Sequence, residues 1–360
     1  MGGVAALAQS VPACGSGGVK RFGAALVVGK FCPLHRGHQY LLDRAQAACE
    51  QLVIVSYTRP EFPGCEPERR ERWLAALYPR ATRLVVDDAR LAAHGVALPP
   101  NEASDEEHRA FVAWLLREVL RVDVEAVFTS EAYGDGFAAS LSRAQGERGG
   151  PAVMHVCVDA ARTAIPVSGT AVRADVHRAR ASLDPLVYGD FVRRVAILGG
   201  ESTGKSTLAA QLANALGTVH AAEYGRELWE HKQGRLVADD MLPIARTQVA
   251  REEQLAPTAQ RFLLCDTTPL TTLLYAQAMF GHACAELEAL AQRPYDEVLL
   301  CAPDVPFIQD GTRRDEAFRA WQHRWYLREL AARGVRYRLL TGGWQARTAA
   351  AWAILSPAIR

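Results

Sequence analysis

Gly199-Gly200-Glu201-Ser202-Thr203-Gly204-Lys205-Ser206-Thr207 stands directly behind the apolar run Val195-Ala196-Ile197-Leu198. The segment fits G-x-x-x-x-G-K-[ST], and it stands where that pattern carries meaning, after a strand and at the mouth of a helix read over residues 205–216. Backbone N–H groups of such a loop cradle phosphates, Lys205 reaches the outer phosphate oxygens, and the Ser206 hydroxyl is placed to ligate Mg²⁺. A parallel strand buried on both faces reads as an unbroken apolar run, as 195–198 does.

Downstream, apolar runs at 217–221, 262–265, 297–301 and 335–340 read as further strands, with a helical pattern over 240–255. Strands alternating with helices give a parallel sheet covered on both faces. Phe262-Leu263-Leu264-Cys265 ends on Asp266, a carboxylate placed to hold Mg²⁺ or, more plainly, to cap the next helix. Ala221-Ala222-Glu223-Tyr224-Gly225-Arg226-Glu227 brings an acid to the end of the strand that follows the nucleotide loop. An acid there suits an acceptor hydroxyl, as general base or as hydroxyl binder, with Tyr224 and Arg226 beside the substrate and Tyr224 stacking on its base. Asp310-Gly311-Thr312-Arg313-Arg314 is either a lid whose Arg313 and Arg314 close on the transferring phosphate or a solvated charge run.

Upstream, a second run, Ala24-Ala25-Leu26-Val27-Val28, meets Gly29-Lys30-Phe31-Cys32-Pro33-Leu34-His35-Arg36-Gly37-His38, followed by a helical pattern over 38–51. Strand patterns at 52–57, 83–86, 126–129 and 153–158, and a helical pattern over 106–120, complete a second series. A helix N-terminus offers free N–H groups and a partial positive charge, both suited to phosphate. Gly37 lets the backbone approach a phosphate closely, and His35 and His38 can each donate a hydrogen bond to its oxygens. H-x-G-H alone is a weak pattern that surface histidines share, and zinc would need a third ligand that is not in view. Pro166-Val167-Ser168-Gly169-Thr170-Ala171-Val172-Arg173 either caps a helix while holding a triphosphate or is a plain N-cap followed by a surface arginine.

Composition sets the outer bounds. The chain has 360 residues, about half hydrophobic (49%) and less than a quarter charged (22%), which suits two globular domains with sizeable cores. A net charge of +1 supplies no whole-chain field toward nucleic acid or membrane. No apolar run reaches the roughly 18 to 20 residues of a membrane helix. The eight cysteines lack C-x-x-C pairs and read as buried, reduced thiols of a cytoplasmic protein. Residues 1–21, rich in small residues and without a basic start, read as a disordered lead rather than a signal peptide. The fold class is therefore α/β, with two doubly wound parallel-sheet domains at 22–181 and 192–360 and a linker at 182–191, where Asp184-Pro185 and Tyr188-Gly189-Asp190 break the helical pattern.

The first half resembles the adenylyltransferases of the nucleotidyltransferase superfamily, with their H-x-G-H and I-S-x-T-x-x-R signatures; Val167 replaces the common isoleucine. Val127-Phe128-Thr129-Ser130-Glu131-Ala132-Tyr133-Gly134 resembles the segment that holds adenosine in nicotinamide-mononucleotide adenylyltransferases. The resemblance implies that His35, His38, Ser168, Thr170 and Arg173 contact ATP phosphates, with the histidines and Arg173 as cationic donors. It also implies that Gly29, Lys30 and Gly37 lie against the nucleotides and that Glu131 and Tyr133 lie near adenosine. Arg72 and Trp73 would supply charge and a ring for the nicotinamide nucleotide, unless Trp73 is core. The second half resembles the ribosylnicotinamide-kinase domain of the bifunctional NadR-type proteins. That likeness rests on the 199–207 loop, the Glu223–Glu227 segment, Asp266-Thr267 and the run after Asp304. Thr268-Pro269 departs from the pattern, since many relatives carry a second acid followed by an apolar residue.

The resemblance implies two reactions with ATP and Mg²⁺: phosphorylation of nicotinamide riboside, and adenylyl transfer to nicotinamide mononucleotide giving NAD. The partners implied are these small molecules, without a membrane and compatible with a homo-oligomer. Only about twenty residues precede the first strand, which implies that the DNA-binding repressor domain of some relatives is lacking. Two rival readings remain at this level. One is another nucleoside or nucleotide on the same folds, and the other is a nucleotide-sensing regulator with little turnover.

Overall fold

The computed structural model describes residues 20–131, 133–311 and 313–356, so the lead at 1–21 lies outside the described residues except for its last two. The chain divides into two compact units, the first ending at Val187 and the second beginning at Tyr188.

The first unit holds strands β1 (Phe22–Gly29), β2 (Cys49–Ser56), β3 (Thr82–Val85), β4 (Ala126–Thr129) and β5 (Met154–Cys157) in one sheet of order β3-β2-β1-β4-β5. Every pairing in that sheet is parallel. Ala25, Leu26 and Val27 of β1 have no exposed surface, which is why that strand reads as a continuous apolar run. Strand order reverses between β1 and β4, and ligands of open α/β sheets bind in the crevice at such a point, beyond the carboxyl ends of the strands.

The second unit holds β6 (Arg193–Gly199), β7 (Val219–Ala221), β8 (Phe262–Asp266), β9 (Glu297–Cys301) and β10 (Arg338–Leu340) in the order β10-β9-β6-β8-β7, again all parallel. Its central strand β6 feeds the nucleotide loop. Separate apolar clusters fill its two faces, one around Leu198, Ile244, Leu273 and Trp325, the other around Ile197, Leu208, Leu264 and Leu355. The architecture is the expected pair of doubly wound parallel sheets.

Differences from the sequence reading are local. The helix after β1 runs Arg36–Ala48 and ends sooner than the pattern over 38–51, because β2 begins at once at Cys49. The 106–120 pattern is an α-helix, Asp105–Trp114, capped by a reciprocal Ser104/Glu107 box, and its last six residues, Leu115–Leu120, widen into a π-turn. Within 182–191 the chain forms a short helix, Pro185–Gly189, with Val187 and Tyr188 fully buried.

Candidate active sites

In the first unit, β1 delivers the chain to the helix Arg36–Ala48, whose N-cap is His35. The His38 amide donates to His35 Nδ1 (3.3 Å) and the His35 amide donates to His38 Nδ1 (3.4 Å). The two rings stack, with centroids 3.6 Å apart and planes 15° from parallel. Burial, with Arg162 and Arg173 nearby, lowers the His35 pKa to about 4, and burial and the His35 ring hold His38 well below the ordinary value. Both rings are therefore neutral at pH 7. With each Nδ1 accepting an amide proton, the ring proton sits on Nε2. The expectation of cationic imidazoles is thus corrected: the pair donates as neutral Nε2–H groups, because the low-dielectric site disfavours the charged form.

Positive charge comes instead from arginines. Arg173 donates to the Cys32 carbonyl (2.8 Å) and to Thr170 Oγ1 (3.2 Å), and its guanidinium lies 4.6 Å over the Phe62 ring. That bond ties the Ser168–Arg173 segment to the His35 loop across 141 residues of sequence. Ser168 caps the helix Gly169–Ala174 by accepting from the Ala171 amide (3.2 Å), so the plain N-cap role is real and coexists with a place on the cavity wall. A Cβ at Gly37 would stand 3.1 Å from Val167 Cγ1 and 3.2 Å from the His35 ring, so this glycine lets the two motifs close on each other.

Together these residues line a cavity of roughly 510 Å³ whose walls include Gly29, Lys30, His35, Gly37, His38, Glu131, Tyr133, Ser168, Thr170 and Arg173. Sequence reasoning missed Arg162, which faces the cavity and pairs with Glu131 (3.3 Å), and the Tyr57–His108 contact (3.0 Å) at the cavity's other end. The helical pattern over 106–120 located the helix bearing His108, although nothing in the sequence joined it to β1.

Arg72 and Trp73 do not line this cavity. Trp73 is completely buried in the core, where its ring has no free face for a ligand, and Arg72 is exposed. The arginine that matters in that helix, Pro67–Leu77, is Arg70, also fully buried. It donates to the Cys65 carbonyl (2.9 Å), to Ser56 Oγ (2.8 Å) and to Glu61 (2.7 Å), and Ser56 Oγ in turn donates to the Lys30 carbonyl (3.2 Å). Arg70 is a strut beneath the phosphate loop.

In the second unit the loop Gly199–Thr207 opens the helix Lys205–Ala215. Gly199 has φ +145°, and a Cβ there would meet the Cys301 carbonyl at 2.8 Å, so no other residue fits. Gly204, also at positive φ (+80°), forms the N-cap. Lys205 Nζ donates to the Gly200 carbonyl (2.9 Å), as does the Thr203 hydroxyl (2.8 Å), while Ser206 and Thr207 are exposed. The tip of the loop, Glu201 and Ser202, is held by side chains from elsewhere. Glu201 accepts from Tyr275 OH (3.0 Å) and Ser202 Oγ from the Ile308 amide (2.8 Å).

Glu223, two residues beyond β7 at the N-cap of the helix Tyr224–His231, is largely buried. Its pKa is raised by burial; Lys205 opposes that rise and Asp266 adds to it. Arg226 approaches Glu223 at 3.5 Å. Asp266 ends β8, 3% exposed, with Oδ1 buried and without a hydrogen-bond partner. A raised-pKa acid beside a lysine and an orphaned carboxylate oxygen is the arrangement found at reactive sites. Tyr224 lies under Arg251 (5.4 Å) and packs against the core. Arg313 donates to Ser202 Oγ (3.2 Å) and pairs with Asp310 (2.9 Å), whereas the Arg314 guanidinium covers Phe318 at 4.4 Å. Thr268 caps the helix Pro269–Phe280 and supplies no second acid.

Fold and sites define the class: an α/β protein of two compact units, each with a candidate nucleotide site at the carboxyl end of its central strand. Residues 194–347 match the family model described as an AAA domain. The chain is 28% identical over 304 residues to the trifunctional NAD biosynthesis/regulator protein NadR of Escherichia coli, covering 80% of this chain and 71% of that protein. It is 29% identical over 306 residues to the protein of the same name from Salmonella typhimurium, covering 80% and 71%. Crystal structures of NadR protein share the fold. The complex with NR has TM-score 0.67 at 19% identity, over 94% of this chain and 96% of that one. The complex with NAD and AMP-PNP has 0.67 at 20%, over 93% and 96%. The chain is thus similar to NadR proteins over about four fifths of its length.

Among the described residues no helix is long and apolar enough to cross a membrane, and no group of three or more His, Cys, Asp or Glu side chains forms a metal cluster. The seven described cysteines are all free; five are buried, Cys157 is half-buried and Cys284 is exposed.

Proposed function

We propose that the chain is a bifunctional enzyme of NAD salvage, with a nicotinamide-mononucleotide adenylyltransferase in residues 22–181 and a ribosylnicotinamide kinase in residues 192–360. The observation that carries this reading is the pair of built cradles, one at the carboxyl end of each sheet's central strand. One holds two neutral imidazoles and an arginine, the other a lysine, a perturbed glutamate and an orphaned aspartate.

In the kinase, ATP phosphates lie along the Gly199–Thr207 amides, and Lys205 leaves the Gly200 carbonyl to meet the outer phosphate oxygens. Glu223 accepts the proton of the riboside 5′-hydroxyl; its raised pKa brings it toward the pH at which it works. The buried Asp266 Oδ1 and the Ser206 hydroxyl are hard oxygen donors, so they fit Mg²⁺, which when bound neutralises charge on the phosphates. In the adenylyltransferase the mononucleotide phosphate, already anionic, attacks the α-phosphorus of ATP and pyrophosphate leaves. The Nε2–H groups of His35 and His38, with Arg173 and Arg162, offset the charge that builds on the phosphate oxygens. No protein base and no covalent intermediate are required.

The test is a product assay with ATP, Mg²⁺ and nicotinamide riboside, which should yield mononucleotide and then NAD. Lys205→Ala should abolish mononucleotide formation while NAD still forms from supplied mononucleotide, and His38→Ala should do the reverse. Loss of both half-reactions from either substitution, in protein that remains folded, would overturn the assignment of two independent sites.

A further inference from the structure

The tip of the nucleotide loop is organised by a closed ring of hydrogen bonds that its sequence motif does not contain. Tyr275 OH donates to Glu201 Oε1 (3.0 Å), Gln322 Nε2 donates to Tyr275 OH (3.1 Å), and the Glu201 amide donates to Gln322 Oε1 (2.8 Å). The other carboxylate oxygen of Glu201 accepts from the Arg314 amide (2.8 Å), in the segment read as a lid. Gln322 is 2% exposed, and burial holds the Tyr275 phenol well above its ordinary pKa, so it stays a donor. Three elements therefore meet at Glu201, through its carboxylate and its amide: the loop, the helix Pro269–Phe280 that follows Asp266, and the helix Glu316–Ala332 that follows the lid. A Cβ at Gly200 would stand 3.0 Å from Gln322 Oε1, so the glycine beside Glu201 admits the ring.

A carboxylate among amides that cradle phosphate would repel the nucleotide if it pointed inward. Here both its oxygens are turned away, one to Tyr275 and one to the lid. We propose that Glu201 is a positioning residue rather than an ATP ligand, and that the Glu201–Tyr275–Gln322 ring is the latch that docks the arginine-bearing lid on the nucleotide loop. The inference rests on the kinase reading above. Ser202 forms a second anchor, accepting from the Ile308 amide and from Arg313. Tyr275 also lies near enough to Glu223 to feel its charge, so the latch borders the acceptor site. A docked lid excludes water from the transferring phosphoryl group, and an undocked one lets water compete with the riboside hydroxyl.

The readout is the ratio of ADP to the sum of mononucleotide and NAD during turnover with Mg²⁺, ATP and nicotinamide riboside, together with kcat and KM. Tyr275→Phe removes the donor while keeping the ring shape, and Glu201→Gln leaves too few acceptors for both Tyr275 and Arg314. Each should lower kcat for the riboside about tenfold, as the loss of one buried hydrogen-bond partner allows. KM for the riboside should change less, and ADP should exceed the sum of mononucleotide and NAD. Thermal midpoints identify a variant that has merely unfolded, in which case the other variant decides. A ratio that stays at one in both folded variants overturns the latch. A wild type that phosphorylates no nicotinamide riboside overturns the substrate reading instead. The latch is then read from ATP hydrolysis alone, which rises in the variants if the latch exists and stays at the wild-type rate if it does not.

Discussion

At the scale of single residues, the histidine pair shows how far side-chain chemistry depends on surroundings. Two imidazoles around Gly37 read as cationic phosphate ligands, yet the fold stacks them at 3.6 Å and buries them beside arginines, which keeps both neutral. A consequence is testable by pH. Folded His35 titrates near 4 against 6.5 for an ordinary histidine, so between those values the unfolded chain binds more protons than the folded one. Stability is then fully present above pH 6.5, is lost as pH falls, and stops falling below about 4, by at most about 3 kcal/mol for this group. The thermal midpoint of the first unit should drop through that window, and the drop should shrink in His35→Gln. An unchanged slope in the folded variant would show that His35 is not the titrating group. The presence of the imidazoles was legible in the sequence, but their charge state was not, because it is set first by burial in the folded unit and then by neighbours that include Arg162 and Arg173, more than a hundred residues away.

At the scale of elements, what the sequence disclosed follows from burial. Central strands covered on both faces leave apolar runs, and β4 and β9 begin and end where those runs do. The edge strand β10 shrinks to Arg338–Leu340, with Leu339 47% exposed, because an edge strand is paired on one side only. Cross-chain struts leave no local trace. The Tyr275–Glu201 and Gln322–Glu201 bonds span 74 and 121 residues, and Arg70 had no signal beyond its place in an arginine-rich helix whose neighbours, Arg72 and Trp73, looked better suited to a ligand. Arg70 gives the element-scale prediction. Replacing it with alanine strands Glu61 and Ser56 beneath the Lys30 loop, which should cost roughly 2–3 kcal/mol. The first unit should melt some 5 to 10 °C lower, and adenylyl transfer should fall more than riboside phosphorylation. Equal loss of both activities would remove Arg70 from its place beneath the phosphate loop.

For the whole molecule, each unit has its own sheet, its own buried clusters and its own cradle. Binding stabilises whichever unit contains the site, by RT ln(1 + [L]/Kd), about 2.7 kcal/mol at a hundredfold excess over Kd. On the proposed division, NAD is the product of the first cradle and nicotinamide riboside the substrate of the second, which makes them separate probes of the two units. In a calorimetric melt NAD should raise the transition that His38→Ala makes unresponsive, and the riboside should raise the one governed by the Glu223 pocket. Each shift should be on the order of 5 to 10 °C for units of this size. Riboside that moves only the NAD-responsive transition would place its site in the first unit, and the division of labour between the two sheets would have to be abandoned.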